Sequence, residues 1–165
     1  MKVTIYFIRH GESQANVIQH QTQCGAVHHL LMKDPTLTPK GVETCIDEST
    51  KAPKVDIILS SQLLRAIQTA VYTYPKRFVQ VIPYLNELGT GLDNVPMDAG
   101  EQNAALGEHA KMVIRLEKTQ ESSFMDYLKK HILPTFESKD HVFSHKNTSK
   151  NSFYFPYEKR IRISK

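Results

Sequence analysis

Residues 55–74 read VDIILSSQLLRAIQTAVYTY, an apolar run followed by two serines and then by Leu63, Leu64, Ile67, Val71 and Tyr74 at helical intervals. An apolar run without polar alternation is the mark of a strand covered on both faces, and such strands belong to parallel sheets whose connections are helices. Strand, polar turn, helix is therefore the repeating unit that this chain has to accommodate. Residues 3–8, VTIYFI, with Thr4 the single polar residue, form a second such run, expected to be a buried strand of the same parallel sheet. Residues 77–85, ended by Pro83, form a third, and residues 141–144 a weaker fourth.

The intervening segments fit the same scheme. Residues 37–50 predict a crossover helix with Thr38 as N-cap and Pro39 at the first helical position. Ser61 is placed to cap the helix that follows it. An amphipathic helix is expected around residues 122–133, before the fourth strand. Residues 89–108 contain glycines, a proline and acids with little periodicity, which reads as a long loop beside the site. Alternating strands and helices predict an α/β fold, a three-layer α/β/α sandwich with a mostly parallel central sheet.

Composition narrows the classes of function. The 165 residues suit one domain, 1–165, able to bury roughly two-thirds of its unfolded surface. Cys24 and Cys45 have neither zinc-site spacing nor the number for a disulfide scaffold, which points to a reducing compartment. The apolar run at 3–8 is too short for a signal-peptide core, and no stretch nears the ~20 apolar residues of a membrane span. A cytoplasmic protein is expected. The net charge of +4 lies in the tail: of 21 Lys and Arg, six fall in residues 146–165 beside the single acid Glu158, leaving 15 bases and 16 acids elsewhere. A near-neutral body argues against a nucleic-acid partner.

Ligands of open parallel sheets sit outside the carboxyl ends of the strands. Those ends carry Arg9-His10-Gly11, then Ser60-Ser61 followed by Arg65, then Glu87, then Ser144-His145. Two guanidiniums grip a phosphoryl group through paired N–H donors, a neutral imidazole attacks phosphorus, and a protonated carboxyl supplies the departing oxygen with a proton. The cations already neutralise the phosphoryl oxygens, so this set calls for no metal and no other cofactor. Gly11 leaves room for a close approach that a side chain would obstruct.

RHGESQAN at residues 9–16 resembles the signature of the histidine phosphatase (phosphoglycerate mutase-like) superfamily. The similarity continues in order through LTPKG at 37–41, SSQLLRAIQTA at 60–70, LNEL at 85–88, LDNVP at 92–96 and FSH at 143–145. It implies that fold, and a phosphohistidine mechanism with His10 as nucleophile. Its other ring nitrogen would be held by a backbone carbonyl. Arg9 and Arg65 would clamp the phosphoryl oxygens, with Asn16 lending a side-chain N–H and Ser13 a weaker candidate that fits a helix cap better. Glu87, not Glu12, matches the general acid and base. His145 matches the second histidine better than His141 and would serve both catalysis and phosphate binding.

The chain departs from the family after that histidine, where Lys146 stands in place of a glycine and the sequence ends in a short basic segment without the usual long helix and closing strand. The resemblance implies a metal-independent phosphatase acting on a small phosphorylated metabolite or a phosphoprotein. A mutase-type phosphotransferase and a non-catalytic phosphate-binding scaffold are the alternatives.

Overall fold

The computed structural model describes residues 2–21, 29–86, 89, 91–117, 120–137 and 159–164. They fall into two compact units, one spanning His10–Thr119 and the other made of Met1–Arg9 with Gln120–Lys165.

In the larger unit the apolar run at 55–60 becomes a strand only at its end, β2 (Leu59–Ser60). Arg77 takes up the start of the run, its Nη2 donating to the carbonyls of Val55 and Asp56 at 2.9 Å each. The ladder then begins with Gln80 N–H on the Ile58 carbonyl at 2.9 Å and continues with Ile82 N–H on Ser60 at 2.9 Å. These bonds join β2 in parallel to β3 (Val79–Val81), after which Pro83 lacks an N–H and opens a 3-10 turn over Pro83–Leu85. A strand absent from the sequence expectation, β4 (Val113–Arg115), pairs in parallel with the other side of β3. The result is an α/β unit built on a parallel sheet of order β2-β3-β4.

Between His10 and β2 the described residues include the α-helices α1 (Gln14–Gln21) and α2 (Pro39–Glu48). Thr38 caps α2 as its sequence predicts: its Oγ1 accepts the Gly41 N–H at 2.9 Å while donating to Glu12 Oε1 at 2.8 Å. Thr38→Ala removes both bonds and is expected to lower the unfolding free energy by about 1–2 kcal/mol in urea denaturation, with Thr38→Ser recovering most of it.

Helix α3 (Leu64–Thr73) follows β2 and lays Leu64, Ile67 and Val71 against Val79 and Val81, a buried cluster that Ile58 and Leu106 complete. Each such side chain contributes about 1.5–3 kcal/mol when fully buried. Ser61 does not cap this helix. Leu63 occupies the N-cap position without a side-chain acceptor, and Ser61 Oγ only receives the Leu63 N–H at 3.4 Å. The acceptor at the helix start is Asp34 Oδ1, 2.7 Å from Leu64 N.

The expected loop at 89–108 is half helical. Helix α4 (Ala99–Leu106) starts with a reciprocal capping box in which Asp98 Oδ1 accepts the Glu101 N–H at 2.9 Å and Glu101 Oε2 accepts the Asp98 N–H at 3.1 Å. Only Gln102 and Leu106 of the eight residues are buried, so the helix has almost no apolar stripe for periodicity to reveal.

In the smaller unit, β1 (Lys2–Phe7) is not a strand of the parallel sheet among the described residues. It pairs antiparallel with β5 (Lys159–Ser164), from Lys2 opposite Ser164 to Phe7 opposite Lys159. KRIRIS alternates polar and apolar residues, the period of a two-faced antiparallel strand, and the register sets Ile161 opposite Ile5 and Ile163 opposite Val3. The basic segment thus ends in a strand. The same unit holds α5 (Phe124–Tyr127) and α6 (Leu133–Glu137), joined by one π-helical stretch over Leu128–Ile132. Pro134 supplies no N–H to the preceding turn, and the widened stretch in front of it accommodates that gap. The helical run therefore extends past the expected 133. The strand expected at 141–144 lies outside the described residues.

Candidate active site

The loop that follows Arg9 is fixed from both sides. From below, α2 packs directly onto it: Thr38 N–H donates to the Glu12 carbonyl at 2.9 Å, and a Cβ on Gly41 would stand 2.2 Å from that same oxygen. This is why LTPKG ends in glycine. Gly11 is subject to the same closeness, since its Cβ would lie 3.0 Å from Cys45 Sγ and 3.2 Å from the Gly41 carbonyl oxygen. The near approach that Gly11 permits is thus by α2, within the protein, rather than by a ligand. From the other side, Gly11 N–H donates to Thr69 Oγ1 at 2.9 Å, and that hydroxyl donates to the Arg65 carbonyl at 2.7 Å.

On this loop His10 is half-buried, with Nδ1 2.8 Å from the Gly11 carbonyl oxygen. A carbonyl only accepts, so Nδ1 carries the proton, and in the neutral ring the lone pair belongs to Nε2. The sequence expectation of a carbonyl-held tautomer has this geometry. Three residues on, Ser13 is 1% exposed, and its N–H and Oγ both donate to Asn16 Oδ1 at 3.0 Å. Asn16 N–H returns to Ser13 Oγ at 3.4 Å, so Ser13 belongs to the start of α1. With Oδ1 committed, the amide of Asn16 has its donors on the opposite branch.

Arg65 is in the first turn of α3 and 3% exposed. Its Nη1 donates to the Asp93 carbonyl and its Nη2 to Asn94 Oδ1 at 2.9 Å. Residues three and four apart share a helix face, and this face of α3 organises the surroundings. Arg65 holds the loop at 93–94, Gln68 Oε1 accepts the Leu37 N–H at 2.8 Å, and Thr69 holds Gly11. Gln68 and Thr69 stood in the family-like motif, yet their positioning roles were not assigned from sequence.

Asp34 is a second organiser that sequence reasoning missed, because an acid before a proline looks like an ordinary turn. It is 1% exposed, and its Oδ2 accepts the Met97 N–H at 2.9 Å and Gln102 Nε2 at 2.7 Å, while Oδ1 takes the Leu64 N–H.

The structure therefore links His10 to Arg65 through Gly11 and Thr69 and places Asn16 on the helix that continues from the same loop. Arg9 is exposed and directly precedes His10 in the chain. Glu87 and His145 lie outside the described residues. Asn86, next to Glu87, is anchored by two bonds to Gln62, the Gln62 N–H on Oδ1 at 2.9 Å and Nδ2 on Gln62 Oε1 at 2.8 Å. Glu12 has its carboxylate on Thr38. Among the described residues no three His, Cys, Asp or Glu gather into a metal site, and no helix is long and apolar enough to cross a membrane.

The chain is similar to two solved phosphatase structures. One is a proposed α-ribazole-5′-P phosphatase from Escherichia coli K-12, at 29% identity over 66% of this chain and 52% of that one, with a TM-score of 0.43. The other is a phosphoserine phosphatase from Entamoeba histolytica in complex with 3-phosphoglyceric acid, at 24% identity over 77% of this chain and 62% of that one, with a TM-score of 0.38. The match thus spans less than two-thirds of the length of either protein. No curated protein matches the chain. The model of the histidine phosphatase superfamily (branch 1) matches residues 5–111, which include the His10 loop, α2, α3 and the segment from β3 through α4. The chain belongs to the histidine phosphatase superfamily.

Proposed function

We propose that this chain is a metal-independent phosphatase that hydrolyses a phosphomonoester through a phosphohistidine on His10. The observation that carries the reading is the His10 ring, whose Nδ1–H is committed to the Gly11 carbonyl, which leaves Nε2 as the nucleophilic nitrogen of the neutral ring. That ring stands on a loop tied by Thr69 to the helix of the buried Arg65. Family membership supports the same chemistry.

In this reading Nε2 forms a bond to phosphorus while the bond from phosphorus to the leaving oxygen breaks, and Glu87 gives that oxygen its proton. Water then attacks phosphorus, the phosphorus–nitrogen bond breaks back onto Nε2, and the Glu87 carboxylate takes the proton from water. Arg9, Arg65, Asn16 and His145 supply positive charge and N–H donors to the phosphoryl oxygens, whose charge grows in the transition state. The substrate class is a small phosphorylated metabolite or a phosphoprotein, and the place of action is the cytoplasm.

Hydrolysis of 4-nitrophenyl phosphate tests this reading. Turnover that persists in excess EDTA, with a transient phosphoenzyme stable in base and labile in acid, is the expected result. Loss of activity to the chelator, or a phosphoenzyme with the acid stability of a phosphoserine, would overturn it.

A further inference from the structure

Arg115 closes β4, and the next residue continues the ladder, Leu116 N–H donating to the Val81 carbonyl at 2.9 Å. Register sets Ser60 beside Val81 and Val81 beside Arg115. The three residues therefore mark the carboxyl edge of a parallel sheet, where ligands of such sheets bind. Here a cavity of about 170 Å³ opens, lined by Val81, Met97, Gln62, Gln102 and Arg115 among others. At about 30 Å³ per water it has room for a small acid group and some solvent.

The guanidinium in this cavity is incompletely served. Its Nη2 donates to Gln102 Oε1 at 3.1 Å, but its Nε is buried with no hydrogen-bond partner among the described residues. No ion pair to Arg115 is present among them, and desolvation alone lowers its pKa below the ordinary guanidinium value. The Gln102 amide cannot turn to help, because its Nε2 is committed to Asp34 Oδ2 and the Gln62 carbonyl, both at 2.7 Å. A desolvated cation facing a neutral amide on one side and an open cavity on the other is stabilised by an anion in that cavity. The adjoining N–H groups of a guanidinium match the two oxygens of a carboxylate.

Gln62, which lines the cavity, belongs to the turn that leads from β2 into the helix of Arg65. Gln62 lies three residues before Arg65 and is bonded to Asn86, the neighbour of Glu87. We propose that Arg115 is a specificity-determining residue that receives a carboxylate of the substrate in this cavity, so that the substrate is a small phosphorylated carboxylic acid. The proposal rests on the phosphatase reading for its substrate, though not for the anion-binding property of the cavity.

The test compares 2-phosphoglycolate, 3-phosphopropionate and 4-phosphobutyrate, each with its carboxamide, in the wild type and in Arg115→Gln. At least one acid is expected to exceed its amide in kcat/KM by about 10- to 100-fold in the wild type, and that ratio is expected to fall to within about twofold in the variant. Because the ratio is taken within one protein, a general loss of activity or of folded protein does not enter it. A wild type without preference at any length, or a preference that survives Arg115→Gln, overturns the proposal. Should the wild type hydrolyse none of them while it turns over 4-nitrophenyl phosphate, the substrate proposal falls; should it turn over neither, the phosphatase reading falls, and the cavity is then read by the Arg115 Nε–H resonance, assigned by its loss in Arg115→Lys. A saturable shift with propionate at constant ionic strength supports anion binding there, and an unmoved resonance overturns it.

Discussion

Alanine at position 10 is expected to lower turnover of a phosphomonoester by at least about 10³-fold, the scale seen when the nucleophile of a covalent mechanism is removed. The side chain is half-buried, and its ring is held by the carbonyl of the neighbouring Gly11. Folding is therefore expected to survive, and the loss is to be read in kcat rather than in the amount of folded protein. The anchoring of Gly11 by Thr69 and the packing of α2 beneath the loop do not pass through the imidazole. His10→Ala should accordingly still bind inorganic phosphate, measured by calorimetry, while forming no base-stable phosphoenzyme. Added imidazole is expected to restore part of the turnover, because it returns a nitrogen lone pair to a loop that has kept its shape. A variant that hydrolyses aryl phosphates at a tenth of the wild-type rate or faster would rule out His10 as the nucleophile.

What could be read from the sequence was local, and what could not was carried by long-range bonds. Thr38 and Pro39 announced the start of α2 because a capping threonine and a proline at the first helical position act within one turn. Arg65 stands out as a candidate because it follows a buried strand by one polar turn, and Gly11 because it follows a histidine at a strand end. The role of Gly11 was misread all the same, since the neighbour that needs its missing side chain is 34 residues away, at Cys45. Helix α4 was invisible because a helix that buries only Gln102 and Leu106 leaves no periodic stripe. The pairing of β1 was equally invisible, because no local signal in VTIYFI says that its partner is KRIRIS near the other end of the chain. Arg115 drew no attention as one more charge in VIRL, and only the parallel ladder brings it to the sheet edge beside Gln62.

Asp34 shows the same limit at its strongest, and its replacement is expected to have the largest effect on stability. Its carboxylate gathers three donors from three parts of the chain: the first N–H of α3, the N–H of Met97 and the side-chain amide of Gln102. Hydrogen bonds to a charged group contribute about 1.5–3 kcal/mol each, and stranded buried donors cost about 1–3 kcal/mol each. These terms overlap, and Asp34→Ala is expected to lower the unfolding free energy by about 4 kcal/mol. Part of that loss is backbone strain, as Asp34 has φ 45°, a conformation that aspartate and asparagine tolerate better than alanine. Asp34→Asn separates the two contributions, since it keeps the backbone preference and alters only the oxygens. One oxygen becomes an NH₂ group, and in either orientation it faces a donor. Towards Leu64 it meets the N–H that opens α3. In the other direction it meets Met97 N–H and the Gln102 amide, and Gln102 cannot turn its oxygen inward without pointing its own NH₂ at Arg115. The asparagine variant is therefore expected to lose about 2–3 kcal/mol. Its phosphate affinity should weaken as well, because the freed N-terminus of α3 carries Arg65. Urea unfolding with an unchanged m-value, beside phosphate titration of the folded variant, measures both effects. Two variants within about 1 kcal/mol of the wild type would mean that solvent replaces the carboxylate at the start of α3, and the network from Arg115 through Gln102 to Leu64 would then have no share in holding Arg65 in place.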